Sequence, residues 1–198
     1  MCTMRESVPN KVRGFLFAPT LSFRRAKEEP VRDTVVYVVI LAAFYSVMSA
    51  VLTALEIFVH PFAFASAGRA PVFDPLLLVP ATVAVLVFSL AAAALLGLWL
   101  HAFVYIAGGR KGVWQTVKAV FYALTPAFIL GWIPVIGLVV GIIWSVVTGV
   151  VGVRELHGLS DARAAIAVVL AVVVAAAIAI AVLGAVFLAV ISRIPLTA

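Results

Sequence analysis

Five long apolar runs limit the folds that this chain can adopt. Each holds about 18 to 32 residues with few charges, and about 20 apolar residues in a helix cross the ~30 Å hydrocarbon core of a bilayer. A segment inside lipid must satisfy its own backbone hydrogen bonds, so each run is expected to be helical. The pattern predicts an all-α bundle of five transmembrane helices, over residues 35–59, 76–107, 113–130, 133–153 and 164–191.

The composition excludes a soluble domain. Hydrophobic residues make up 66% of the chain and charged residues 11%, whereas about a quarter of a soluble domain is charged. Cys2 is the only cysteine, which excludes a disulfide framework and a cysteine-based metal site. The first thirty residues are polar and basic, so we expect no cleavable signal peptide and an uncleaved first span.

The basic residues predict the orientation in the membrane. Of the 14 Lys and Arg residues, only Arg69 and Arg193 fall on the side that five crossings place opposite the N-terminus. The positive-inside rule then predicts a cytoplasmic N-terminus and an external C-terminus. The short termini and the Ala- and Val-rich composition favour a prokaryotic plasma membrane. Because this orientation explains the net charge of +6, we expect no nucleic-acid partner.

Residues 1–34 are expected to form a cytoplasmic basic tail with a short interfacial helix. Thr20 can cap a helix from Leu21 to about Glu29, and Pro30 ends it. In this interpretation aromatic rings lie in the headgroup boundary and cations face anionic lipid; a solvated tail is the alternative. The predicted headgroup-binding residues are Phe15, Phe23, Arg24 and Arg25, with Arg110 and Lys111 from the turn after the second run.

The third run is the shortest of the five. Pro126 is expected to kink its helix and free a backbone carbonyl group, for which Tyr122, one turn earlier, could supply a partner. An uncharged turn, Gly131 to Pro134, separates this run from the fourth. Five crossings, and three crossings with a re-entrant hairpin over runs three and four, give the same charge distribution, so both interpretations stay open.

Small residues recur at helical spacing in three runs. Such faces allow helices to approach closely, and they predict packing within the bundle, self-association or binding of protein partners. The three sets are Ser89, Ala93, Gly97 and His101 in the second run, Gly137 and Gly141 in the fourth, and Ala177, Ala181, Ala185 and Ala189 in the fifth.

Four polar residues are candidates for a functional site. Glu56 and His60, four apart at the end of the first run, suit an interfacial ion pair; a proton, cation or metal site is the alternative. His101 is expected to hydrogen-bond a neighbouring helix, with a proton relay as the alternative. Lys118 is expected to extend to the inner headgroups, with the lining of an internal cavity as the alternative.

Neither a metal nor a cofactor is expected. The sequence shows no serine triad set, no His-Glu-x-x-His motif and no paired intramembrane carboxylates, which argues against an enzyme.

Three stretches follow one another in a recognisable order: residues 16–30, residues 108–126 from Gly108-Gly109 to Thr125-Pro126, and residues 153–160. Together they resemble prokaryotic Yip1-domain proteins, and the resemblance covers about residues 14–185. It implies a five-span membrane protein with a cytoplasmic N-terminus and, in eukaryotic members, trafficking roles and contacts with Rab-type small GTPases. Phe121-Tyr122 replaces the family's frequent Gly-Tyr pair, and the long N-terminal domain of eukaryotic members is missing; both differences argue against a GTPase contact here.

We therefore expect a non-enzymatic membrane scaffold that binds lipids and protein partners. The alternative function is a small transporter or ion channel, with Glu56, His101 and Lys118 along its path. The absence of repeated halves and the scarcity of ionisable groups near the midplane disfavour transport.

Overall fold

The computed structural model describes residues 7–54 and 75–191, and these residues form eight α-helices. Two short helices precede the first long one, and the third apolar run is divided in two. The helices are α1 (Val8–Phe17), α2 (Pro19–Ala26), α3 (Val31–Ala54), α4 (Pro75–Ile106), α5 (Val113–Ala123), α6 (Thr125–Leu130), α7 (Ile136–His157) and α8 (Asp161–Ile191).

Within residues 7–54 and 75–191, five segments are long and apolar enough to cross a membrane, which confirms the all-α class and the five predicted spans. The third of them combines α5 and α6 and covers 18 residues, or about 27 Å at 1.5 Å per residue. The candidate spans are Val31–Thr53, Leu76–Ile106, Val113–Leu130, Ile136–His157 and Asp161–Ala189.

The ends of the spans differ from the predicted ones where polar residues continue a helix. The first span begins at Val31, not at residue 35, and residues 55–59 lie outside the described part of the chain. Residues 154–163, which the predicted spans leave out as a polar connection, are mostly helical: α7 continues to His157 and α8 begins at Asp161. Gly158, with φ of +69°, ends α7 in the left-handed conformation and donates its N–H to the Arg154 carbonyl oxygen at 2.8 Å.

The N-terminal segment contains two helices where one was predicted. Neither begins with a side-chain cap: Ala18, not Thr20, occupies the N-cap position of α2. Both helices carry a proline in the first turn, where the missing N–H leaves no intrahelical bond unmade. The α1 helix was not expected, because the basic residues between its apolar positions conceal its pattern.

The bundle is packed most tightly at the end where α1 and α2 lie, which we call the N-terminal end. There α5 lies between α4 and α7, α6 packs on α7 and α3, and α2 packs on α7. The far parts of α4 and α8 contribute little to the core. Side chains there, such as Phe88 at 75% and Leu188 at 68%, are exposed.

Small residues produce two of the predicted close contacts. A Cβ atom at Gly97 would lie 2.9 Å from the Val117 Cα atom, and one at Gly141 would lie 3.1 Å from the Ala127 Cα atom. These distances confirm close packing of α4 on α5 and of α7 on α6. The face of α8 that contains Ala177 is exposed, so it makes no contact of this kind within the described bundle.

Candidate functional site

Lys118 connects α5 to the end of α2. Its side chain is 1% exposed, and its ammonium group donates hydrogen bonds to the carbonyl oxygens of Ala26, Lys27 and Glu29 at 3.1, 3.2 and 2.9 Å. Carbonyl groups at the C-terminus of a helix lack partners inside it, and a cation there also complements the helix dipole. Lys118 therefore binds protein carbonyl groups. The expectation that its side chain extends to the inner headgroups was wrong.

Glu29 holds two further side chains at the same place. One carboxylate oxygen accepts a hydrogen bond from the Lys11 ammonium group, and the other accepts one from the Tyr122 hydroxyl group. Lys11 is 8% exposed, and its Nζ atom lies 5.9 Å from the ring centroids of Tyr37 and Tyr122. We call Lys11, Glu29, Lys118 and Tyr122 the N-terminal clamp, because they join α1 and the end of α2 to α5.

Phe15 and Phe23 pack inside the protein beside the clamp. Phe15 stacks on Tyr122 with centroids 4.3 Å apart, and Phe23 contacts Phe15 edge-on at 5.0 Å. The two rings are 2% and 0% exposed, so they differ from the expectation that both lie among the headgroups. The apolar side chains of this segment that do face outward are Phe17, at 73% exposed, and Leu21, at 56%.

The division between α5 and α6 is stabilised by a threonine. Pro126 cannot donate to the Tyr122 carbonyl oxygen, and the Thr125 hydroxyl group donates to it instead at 2.7 Å. Because Thr125 uses its proton there, the Tyr37 hydroxyl group donates to Thr125 Oγ1 at 2.9 Å. The prediction that Tyr122 would supply the partner was wrong: its own carbonyl is the freed group, and its hydroxyl binds Glu29.

His101 belongs to a chain of three side chains from three helices. Its Nδ1 atom lies 2.8 Å from Thr116 Oγ1, and Thr116 Oγ1 lies 2.9 Å from His157 Nε2. This confirms the expected bond to a neighbouring helix. The threonine donates to one imidazole and accepts from the other, so the chain links α4, α5 and α7. His157 Nδ1 is buried and has no hydrogen-bond partner in the described part of the chain.

Most of the predicted headgroup-binding cations are exposed at the N-terminal end. Arg25 and Lys111 lie on the surface. Arg110 covers the Tyr105 ring, with its guanidinium carbon 3.6 Å from the ring centroid. Arg24 is 65% exposed and binds Glu155 of α7 at 3.0 Å.

Arg154 completes the attachment of α2 to α7. It binds Asp161 and Glu155 at 2.8 Å and the Thr20 hydroxyl group at 3.2 Å. Glu155 therefore accepts from one arginine of each helix, since it also binds Arg24. The N-terminal helices are held by charge at this edge of the bundle and by the clamp at its centre.

Glu56 and His60 lie outside the described residues, so the pair stays a prediction. Over residues 7–54 and 75–191, no group of three His, Cys, Asp or Glu side chains could hold a metal ion.

Two of the four clamp residues were not predicted. Lys11 and Glu29 were not identified, although Glu29-Pro30 ends a basic segment directly before a span. A carboxylate at that position must lie near the membrane surface, where it needs a cationic or hydroxyl partner. Lys118 lies five residues into the third run and could have been proposed as that partner. No pattern in the neighbouring residues indicated which helix it would contact.

The geometry of the clamp supports a role in attaching the N-terminal helices to the bundle rather than in catalysis. The clamp's two ammonium groups and one carboxylate all have partners, so none is left as a base or nucleophile. The His101–Thr116–His157 chain can pass a proton between two imidazoles, but His157 Nδ1 has no described acceptor beyond it.

One comparison with known proteins identifies a family. The family model for the Yip1 domain matches residues 13–190, nearly the whole chain. No curated protein and no solved structure matches the sequence.

Proposed function

The chain belongs to the Yip1-domain family, and from this premise we propose that it is a non-enzymatic membrane scaffold that organises membrane or serves trafficking by binding lipids and proteins. It is a multi-pass membrane protein with five candidate spans. The family is not generally an enzyme family, which supports a role without catalysis.

The observation that carries the proposal is that Lys118 and His101 bind other groups of the protein. A transporter or channel would need Lys118 and His101 along a hydrated path. Instead Lys118 is 1% exposed and bound to three carbonyl groups, and His101 is bonded to Thr116. These groups fix the N-terminal helices and the helix ends in one arrangement, as a scaffold requires.

The surface of the N-terminal end supports lipid binding. Arg24, Arg25, Arg110 and Lys111 remain the proposed contacts for anionic headgroups, and the exposed Phe17 and Leu21 take the place of Phe15 and Phe23 as the apolar contacts. We propose that this end faces the cytoplasm of a prokaryotic cell, because all eleven Lys and Arg residues within the described ranges belong to it.

The far parts of α4 and α8 support binding of protein partners or of a second copy. The 32 residues of α4 and 31 of α8 span about 48 and 46 Å, more than the ~30 Å hydrocarbon core. Because α5 and α6 together are shorter, these parts extend past them and expose apolar and small side chains.

A flux measurement tests the scaffold against the transporter. Purified protein in liposomes is expected to carry no more ion or proton flux than empty liposomes. A robust flux that is lost in His101→Asn but kept in Arg110→Gln would overturn the proposal.

Photocrosslinking in membranes tests partner binding directly. A photoreactive residue at Phe88 or Phe187, which are 75% and 63% exposed, is expected to give protein adducts of discrete mass. Ile143 on α7, at 61% exposed, is the matched position that is expected to crosslink only to lipid. Adducts at none of the three positions would count against partner binding through α4 and α8.

A further inference from the structure

We infer that the bundle holds one hydrocarbon chain of a membrane lipid in a cavity among α4, α5, α6, α7 and α8. The cavity measures about 320 Å³. Small residues produce it, since Ala123, Ala127, Gly149, Ala171 and Ala175 all lie in its wall. This inference depends on membrane insertion but not on the scaffold role.

The wall leaves nothing for a polar ligand to bind. Ser145 is the only lining residue with a hydroxyl group, and its oxygen accepts the Ala127 N–H at 3.2 Å. The Trp99 indole N–H donates to the Ala171 carbonyl oxygen at 3.0 Å. Water needs two to four polar partners to occupy a cavity, and cavities lined by apolar side chains stay dry and take up apolar molecules. The apolar wall therefore favours a hydrocarbon ligand over water or a polar molecule.

The cavity opens sideways into the bilayer. Leu96, Ile142 and Val172 belong to its wall and are also 45%, 51% and 45% exposed, so lipid reaches it from the side. A second apolar groove of about 510 Å³ shares Trp99 and Ala175 with it and continues along α8 to Leu183. From Val168 to Leu183 the path is about 22 Å long at 1.5 Å per residue.

The volume suits part of one alkyl chain. An apolar cavity of about 150 Å³ holds one benzene molecule, so about 320 Å³ gives room for roughly twice as many carbon atoms, on the order of a dozen. Because hydrocarbon gains little by leaving surrounding hydrocarbon, the chain is retained by dispersion contacts with wall atoms that otherwise face a void.

The test compares two neighbouring alanines on α8. Ala175→Phe places a ring where the cavity and the groove meet, whereas Ala176→Phe places it on the exposed side of the same helix. Protein purified in mild detergent, incubated with dioleoyl phosphatidylglycerol and analysed by native mass spectrometry, is expected to retain one phospholipid. Ala176→Phe is expected to retain the lipid as the wild type does. In Ala175→Phe the fraction of protein that carries one phospholipid is expected to fall at least fivefold.

A spectroscopic readout keeps the inference testable if Ala175→Phe folds poorly. In a protein with Trp114, Trp132 and Trp144 changed to Phe, only Trp99 fluoresces. Titration with a phospholipid that carries brominated acyl chains is expected to quench Trp99 fluorescence, with saturation at one lipid per protein. Equal lipid retention by both alanine variants, quenching that never saturates, or a dimer in place of the lipid adduct would overturn the inference. Partner crosslinking plays no part in either readout, so failure here is separate from failure of the scaffold proposal.

Discussion

Lys118 illustrates how a single residue keeps a charge inside a membrane protein. Burial of an unpaired ammonium group is costly, and the cost is offset here by three carbonyl groups and by the nearby Glu29 carboxylate. The carbonyl groups belong to the last residue of α2 and the turn that follows it. Ala26 also accepts the Glu29 N–H at 3.0 Å and Lys27 accepts the Gln115 side chain at 3.5 Å, so Lys118 adds a charged donor to groups that are partly satisfied already.

Lys118→Met is expected to lower the free energy of unfolding by about 2–4 kcal/mol, because it removes the donor to the Glu29 carbonyl oxygen and a cation near the Glu29 carboxylate. Lys111→Met, at an exposed position, is the control and is expected to change stability by less than about 0.5 kcal/mol. Thermal unfolding in detergent measures both. Equal melting temperatures for the two variants would show that Lys118 is not a structural cation.

Glu28 and Glu29 form a natural pair for a second test. Glu29→Gln removes the charge that binds Lys11, whereas Glu28 is exposed. We expect local opening of α1 and α2 to become easier by about 1–3 kcal/mol in Glu29→Gln, which raises their amide exchange roughly 5- to 150-fold. Glu28→Gln is expected to exchange at the wild-type rate. Unchanged exchange in both variants contradicts the clamp.

At the scale of elements, α2 is held against α7 by shape as well as by charge. Phe23 fills a space that exists because residue 152 has no side chain: a Cβ atom there would lie 2.7 Å from the ring and 3.3 Å from the Ala119 Cβ atom. Aromatic contacts with Phe15 and Tyr122 fix the ring from the other side. The helix therefore has one well-defined position on the bundle.

Gly152→Ala is expected to destabilise the protein by about 1–3 kcal/mol, since the ring must move or the helices must separate. Gly149→Ala, one turn earlier on the same helix, is the matched control. Its Cβ atom would meet only the Ala123 Cβ atom, at an ordinary 3.7 Å, so the higher helix propensity of alanine leaves stability equal or improved. Chemical unfolding of both variants measures the difference; similar losses in both would contradict the role assigned to Phe23.

At the scale of the molecule, the turn between α6 and α7 bears on how many times the chain crosses. The turn lies on the surface: Ile133 is 38% exposed and Val135 is 74% exposed. Irregular backbone at membrane depth must be covered by protein or water. An uncovered turn therefore favours two full crossings over a re-entrant hairpin.

Cysteine labelling tests this topology with the native Cys2 as the reference. In Cys2→Ser, Val135→Cys protein, a membrane-impermeant maleimide is expected to label intact cells. Wild-type protein, which carries only Cys2, is expected to be labelled only after permeabilisation. Labelling of Val135→Cys that also requires permeabilisation would contradict the five crossings with a cytoplasmic N-terminus.

Local features of the sequence determined the broad plan of this protein. The length and apolar content of each run predicted five membrane-spanning helices, because the bilayer thickness and the helix rise leave no other way to bury them. Spacing by fours predicted the close contacts at Gly97 and Gly141, because residues four apart share one helix face. Motif order indicated the family.

Only the tertiary structure decided what the polar and aromatic residues do. Lys118 and its carbonyl partners are 89 to 92 residues apart, and Thr116 and His157 are 41 apart. No local pattern specifies such pairs, so the inward position of Phe15 and Phe23 and the clamp itself were not predicted. The physical reason is that hydrophobicity acts on every segment separately, whereas hydrogen bonds and cavities depend on which surfaces of distant segments meet.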